Sequence, residues 1–173
     1  VHGPARIHRR TATLLGRLHA GDVAVLDHLD MDRGTAQALV DAGVVAVVNA
    51  GPMISGRYPN LGPELLVDAG VVVVDRAGSE VFDRLRDGTE VRVDAGVVHA
   101  GDTLVATARE LTPDLVRSEM ASARSGLAAQ LESFTHNSTE FLRREQDLLL
   151  HGHGVPQTAT AMADRPVVVA VRS

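Results

Sequence analysis

The pentapeptide Asp-Ala-Gly-Val-Val occurs three times, beginning at Asp41, Asp68 and Asp94. A Gly after a helical run ends the helix in a left-handed turn, and the Val residues that follow favour a strand. The first copy closes the amphipathic run Arg33–Ala42, for which Asp32 is the N-cap, and opens Val44–Val48. The second closes Glu64–Ala69, entered through Pro63 in its first turn, and opens Val71–Val74. With Val23–Leu26 as the first strand, these units predict parallel pairing through right-handed crossovers. The third copy follows Glu90-Val-Arg-Val-Asp94, which alternates apolar and polar, so the same residues make a hairpin turn. Val97–His99, a Gly101-Asp102 turn and Thr103–Ala108 then complete an antiparallel meander. The fold class expected is α/β, a small domain with a mixed sheet. Shorter helices are expected over Arg9–Leu18 and from Ser79 or Asp75 through Leu85.

After Thr112, a cap, and Pro113, a helix-start signal, no Pro occurs up to Leu150. Val116, Met120, Ala123, Leu127, Leu131, Phe134, Ser138, Phe141, Glu145 and Leu148 recur at alternating spacings of three and four, a heptad-like seam. A helix of about 37 residues is about 55 Å long, longer than a small domain is wide. We read the seam as a dimerisation helix, with Met120, Leu127, Leu131, Phe134, Phe141 and Leu148 in the interface. Packing against a further domain is the alternative. His136 could supply a buried polar layer that fixes register. His151-Gly-His-Gly-Val-Pro156 reads as a linker, and Pro166–Val171 as a buried strand. The chain begins on Val and ends on that strand, which suggests a fragment cut where another domain begins.

The chain has no Cys, so disulfides, thiol catalysis and Cys-ligated metals are excluded. Its four aromatic residues, Tyr58, Phe82, Phe134 and Phe141, are too few for a stacking platform for single-stranded nucleic acid. A net charge of −5 argues against a broad phosphate-backbone footprint, with a local basic exception at Arg6, His8, Arg9 and Arg10. No apolar run approaches the ~20 residues that span a bilayer.

Between Val48 and Glu64 lies Asn49-Ala-Gly-Pro-Met-Ile-Ser-Gly-Arg-Tyr-Pro-Asn-Leu-Gly-Pro63. So much Gly and Pro continues neither helix nor strand, and a polar preset loop at a strand's carboxyl end is a common ligand position. Asn49, Ser55, Gly56, Arg57, Tyr58 and Asn60 are the candidate ligand- or partner-binding residues. Backbone amides with Ser55 and Arg57 suit a carboxylate or phosphate. The other reading is a rigid connector whose Arg and Asn satisfy its own carbonyls. Asp27, Asp30 and Asp32 follow the first strand and could hold Mg²⁺, although Asp32 also has a capping role. His99 in a strand reads as a packed residue. His151 and His153 are two apart in a Gly-rich linker, where an idle exposed role competes with metal binding. No catalytic set of Ser or Thr with His and an acid can be named.

The blocks Gly21–Asp32, Val47–Pro63 and Phe141–Leu150 resemble the actinobacterial SteA proteins, described as cytokinetic-ring proteins and as thiamin-pyrophosphokinase-like. The resemblance implies a non-catalytic scaffold in septal assembly and daughter-cell separation. It implies a SteB-like membrane partner, a peptidoglycan hydrolase as the regulated enzyme, and a place on the cytoplasmic face of the membrane at the division septum. It also implies a following pyrophosphokinase-like domain and a membrane-spanning C-terminal part. The expected organisation is an α/β domain over 1–111, the dimerisation helix over 112–151, and over 152–173 a linker and the first strand of the next domain. The order of elements also resembles the swivelling phosphohistidine domains of phosphoenolpyruvate-using enzymes, which suggests β/β/α layering. Those domains carry a catalytic His in the corresponding loop. Here Ser55-Gly56-Arg57 takes its place, so phosphotransfer is not inherited. A thiamin-pyrophosphokinase-like enzyme or a nucleotide or phosphate sensor using Mg²⁺ is the alternative function.

Overall fold

The structure, a computed structural model, describes residues 1–152. In chain order the elements are β1 (His2–Ile7), α1 (Thr11–Leu15), β2 (Val23–Leu26), α2 (Arg33–Asp41), β3 (Ala46–Asn49), α3 (Gly62–Asp68), β4 (Val72–Asp75) and α4 (Val81–Arg84). There follow β5 (Glu90–Asp94), β6 (Val97–Ala100), β7 (Thr103–Thr107), β8 (Arg109–Glu110), α5 (Pro113–Arg144) and α6 (Gln146–His151). The strands form one mixed eight-stranded sheet in the order β7-β6-β5-β1-β2-β3-β4-β8. The protein is therefore an α/β domain with a long helix after it.

The repeated pentapeptide behaves as its contexts require. Gly43 and Gly70 take φ values of 73° and 80° where α2 and α3 end, and β2, β3 and β4 pair in parallel. At the third copy Ala95 and Gly96 are both left-handed, φ 46° and 80°, and β5 pairs antiparallel with β6. Two residues of positive φ match the right-handed twist of the flanking strands.

Alternation along the parallel strands divides the interior. Ala24, Leu26, Val47 and Val73 join Leu14, Leu39, Leu66, Val116 and Met120 in one apolar cluster, on the helical side. Val23, Val25, Ala46, Val48 and Val74 join Val91, Val93, Val98 and Val105 in the other, so the meander covers the opposite face. The layering is β/β/α. Strands buried on both faces read as continuous Val-rich runs, as these do.

β1 is the strand that joins the layers, and no expectation covered it. His2, Gly3 and Pro4 pair antiparallel with β5, whereas Ala5, Arg6 and Ile7 pair parallel with β2. Pro4, which donates no backbone hydrogen bond, stands where the strand changes partner. A Cβ on Gly3 would lie 2.1 Å from the Gly21 carbonyl oxygen. The residues that make the crossing possible are those that hide a strand in the sequence.

Other differences are local. The first helix is only Thr11–Leu15. Neither Ser79 nor Asp75 opens α4: Glu80 precedes it without a side-chain cap. Asp75 instead ends β4 fully buried, with its carboxylate bound inside the protein. The two-residue β8, also unforeseen, pairs antiparallel with β4. The compact α/β unit extends to Ala129 rather than 111, because Val116, Met120 and Ala123 of α5 are buried in it. The second unit begins at Gln130. Glu145 interrupts the long helix between α5 and α6. Of the linker and strand expected over 152–173, residues 153–173 lie outside the described residues. No helix among the described residues is long and apolar enough to cross a membrane.

Candidate functional site at the carboxyl ends of the parallel strands

The carboxyl ends of β2, β3 and β4 meet the Gly/Pro-rich loop, and buried side-chain hydrogen bonds fix it. Asn49 ends β3 with no exposure. Its Oδ1 accepts from the His28 amide at 2.8 Å, and its Nδ2 donates to the carbonyls of His28 and Gly51 at 3.0 Å each. Asn60, 5% exposed, donates from Nδ2 to the Met53 and Met31 carbonyls at 3.2 and 3.4 Å. Gly62 packs so closely that a Cβ there would lie 2.3 Å from the Met31 oxygen. Asn49 and Asn60 thus serve the loop itself. The rigid-connector reading holds for these two residues.

The carboxylates after β2 separate into different tasks. Asp30 is left-handed, φ 52°, which a short polar side chain tolerates. Its amide donates to Met53 O at 3.1 Å and its Oδ1 accepts from the Ser55 amide at 2.8 Å, a reciprocal clasp on the loop. Asp32 caps α2, accepting from the Thr35 amide at 2.9 Å and the Thr35 hydroxyl at 2.7 Å. These bonds hold its carboxyl below the usual range. Asp27 is exposed beside Gly51. Among the described residues no group of three or more His, Asp or Glu could hold a metal ion. Mg²⁺ on Asp27, Asp30 and Asp32 therefore has no assembled site here.

The strongest polar assembly was not legible in the sequence. Asp75 accepts from Arg109 Nε at 2.8 Å, Arg109 Nη2 at 2.8 Å and the Met53 amide at 2.9 Å. Arg109 also pairs with Glu119 through Nη1. Its guanidinium is held firmly protonated, chiefly by Asp75, against partial burial and with help from Glu119. One carboxylate thus ties β4 to the loop, to β8 and, through Arg109, to α5. The partners are 34 and 10 residues apart in sequence, which no local motif signals.

Next to this assembly is a cavity of about 210 Å³ lined by Ile54, Ser55, Gly56, Arg76, Glu119 and Ser122. Arg76 is left-handed, φ 60°, an uncommon conformation for a residue with a long side chain. Three successive amides impose it: Arg76, Ala77 and Gly78 donate to Gly51, Asn49 and Ala50 at 2.9, 3.1 and 3.0 Å. Of the loop candidates, Ser55 and Gly56 line the cavity; Arg57 and Tyr58 are exposed and outside its lining.

The remaining expectations fall elsewhere. Arg6 of the basic N-terminus pairs with Asp22 and Asp87, and Arg9 lies over the Phe82 ring at 4.3 Å. His99 is half-buried, with Nδ1 shielded and unpartnered. His136 is exposed. In the seam, Met120 is buried and Leu127 half-buried, whereas Leu131, Phe134, Phe141 and Leu148 are 57, 70, 60 and 38% exposed.

No family model matches the sequence, and no curated protein matches it. Among solved structures the chain is similar to a 3-isopropylmalate dehydratase (leuD) of Methanocaldococcus jannaschii. That likeness has 14% identity and a TM-score of 0.43, covering 80% of this chain and 98% of the other.

Proposed function

We propose that this chain is an assembly and docking region of a SteA-like cell-division protein. It acts by self-association through the second half of α5 and through α6. One observation carries the reading: Phe134 is 70% exposed on α5, and the heptad spacing of apolar residues runs on from it through Phe141 to Leu148 of α6. Large apolar side chains repeated along one helical face gain by burial against a matching seam. A second copy of the chain presents that seam by construction. The α/β unit would then display the exposed Arg57 and Tyr58 twice, to a SteB-like membrane partner at the septum. The regulated activity is that of a peptidoglycan hydrolase, with this region as scaffold.

Light scattering on the full chain tests the self-association. Wild type should run at twice the monomer mass, and Phe134→Asp or Leu131→Asp at the monomer mass with an unchanged circular dichroism spectrum. A monomeric wild type, or a mutant that keeps the wild-type mass, sinks the proposal.

A further inference from the structure

The seam from Leu127 to Leu148 holds two residues that suit burial against themselves poorly, Ser138 and Glu145. Glu145 interrupts the helix assignment, yet α-type hydrogen bonds continue through it. Its amide donates to Phe141 O at 3.0 Å, and its carbonyl accepts from the Leu149 amide at 2.8 Å. It therefore keeps its place on the apolar face. Its carboxylate has no partner among the described residues, for the neighbouring Arg144 is taken by Glu140 at 2.6 Å.

Two helices that pair in parallel set each seam residue against its own copy. Glu145 would then face Glu145, two carboxylates in one layer of an apolar seam, which is costly. Phe134 and Phe141 would each meet themselves, with a Ser138–Ser138 layer between them. Layers with too much volume would alternate with a layer that has too little, and both faults destabilise a packed interface.

We propose that two copies of this chain pair antiparallel through this seam, about a two-fold axis level with His136. The inference rests on the self-association proposed above and adds its direction. Phe134 then lies opposite Ser138 of the other copy, and Leu131 opposite Phe141, each contact occurring twice by symmetry. Large residues meet small ones, as close packing requires. Leu127 lies opposite Glu145 of the other copy. Arg124, one turn before Leu127 and on the same side of the helix, comes within reach of that carboxylate. Arg124 is exposed and makes no side-chain hydrogen bond or ion pair among the described residues. Acid and base therefore complement each other only when one helix is reversed.

The chain has no Cys, so single Cys substitutions report the direction without interference. Residue 145 stands nine positions from the axis in each copy, which puts the two copies about 27 Å apart in an antiparallel pair. A disulfide needs Cα atoms within about 7 Å. Glu145→Cys is equilibrated in a glutathione redox buffer, alone and after refolding together with Leu127→Cys. Glu145→Cys should not link to itself, and the mixture should yield a dimer in which the two variants are joined. A monomeric wild type in light scattering removes the self-association and this pairing with it. A dimeric Glu145→Cys that links to itself leaves the self-association standing and overturns the antiparallel direction. A dimeric mixture without the joined species overturns it equally. Charge reversal gives a second readout: Glu145→Arg and Arg124→Glu should each weaken association several-fold, and both in one chain should restore it. Residues 124 and 145 never meet in a parallel pair, so absence of recovery overturns the proposed register.

Discussion

Replacing Arg109 by Met should be the most damaging single change near the site, and its size follows from three hydrogen bonds. Asp75 is fully buried and accepts two bonds from Arg109 and one from the Met53 amide. Met keeps the bulk of the side chain but leaves a buried carboxylate with one amide donor, and it strips Glu119 of its cation. Removing one partner of a buried pair costs about 3–5 kcal/mol, mostly from the uncompensated charge left behind. Arg109 is 29% exposed, so water relieves part of that penalty and the lower end, about 3 kcal/mol, applies. In a chain of this size that is roughly a 6–12 °C fall in melting temperature. Urea unfolding followed by circular dichroism measures it, and an unchanged m-value would show that the denatured state is not the cause. Asp75→Asn combined with Arg109→Met removes the orphaned charge and should recover about 1–2 kcal/mol relative to the sum of the single changes. A single-mutant loss below about 1 kcal/mol, or strict additivity, would refute the view that a buried charge pair holds loop, β8 and α5 together.

Smaller perturbations probe separate parts of the loop and its surroundings. Gly62→Ala drives a Cβ into the Met31 carbonyl and should cost about 1–3 kcal/mol in thermal or urea unfolding. Ala95→Gly should stabilise by about 0.5–1 kcal/mol, because Ala95 holds φ 46° in the hairpin turn; a loss would mean that the turn differs from the one described. The Asp32 carboxyl is held low in the folded state by Thr35. Its contribution is therefore present above the unfolded carboxyl value and fades as pH falls through the lower folded value. In Asp32→Asn, hydrogen exchange at the start of α2 should lose that acid dependence.

What the sequence made legible follows from how far apart the cooperating residues are. The helix-to-strand joints at Gly43 and Gly70 and the hairpin at Ala95-Gly96 are local events, and three short words predicted them. Asp32 as a cap is equally local, reaching only Thr35. β1 escaped because Gly3 and Pro4, poor strand residues, are required by a close approach to Gly21 and by a change of partner. The polar assembly escaped because Asp75 finds Arg109 only after the meander has returned the chain to the edge of β4. Asp75 looked like one of two possible starts of a helix for the same reason: a carboxylate before a short amphipathic run has two possible tasks, and only tertiary contact decides between them. The Gly/Pro loop was found, but its side chains divide by burial. Asn49 and Asn60 turn inward, Ser55 and Gly56 line the cavity, and Arg57 and Tyr58 face solvent.

The long helix was foreseen as one seam with one purpose, and its burial pattern divides that purpose at about Leu127. Among the described residues the buried apolar side chains end at Ala123. Leu131, Phe134 and Phe141 continue the spacing but are more than half exposed. Stability of the α/β unit and self-association should therefore be separable by cutting the chain after Ala129. The truncated protein keeps both apolar clusters and the Asp75–Arg109–Glu119 assembly. It should be monomeric by light scattering and should melt within a few degrees of the full chain. The comparison belongs at low protein concentration, since association stabilises the folded state by mass action and raises the melting point as concentration rises. An isolated helical segment of this kind is marginal in water without a partner, so the removed residues should contribute little to the monomer. A truncated chain that still dimerises would move the interface onto the α/β unit. A truncated monomer that melts far below the dilute full chain would mean that residues beyond 129 complete the core, and the division of labour along α5 would be wrong.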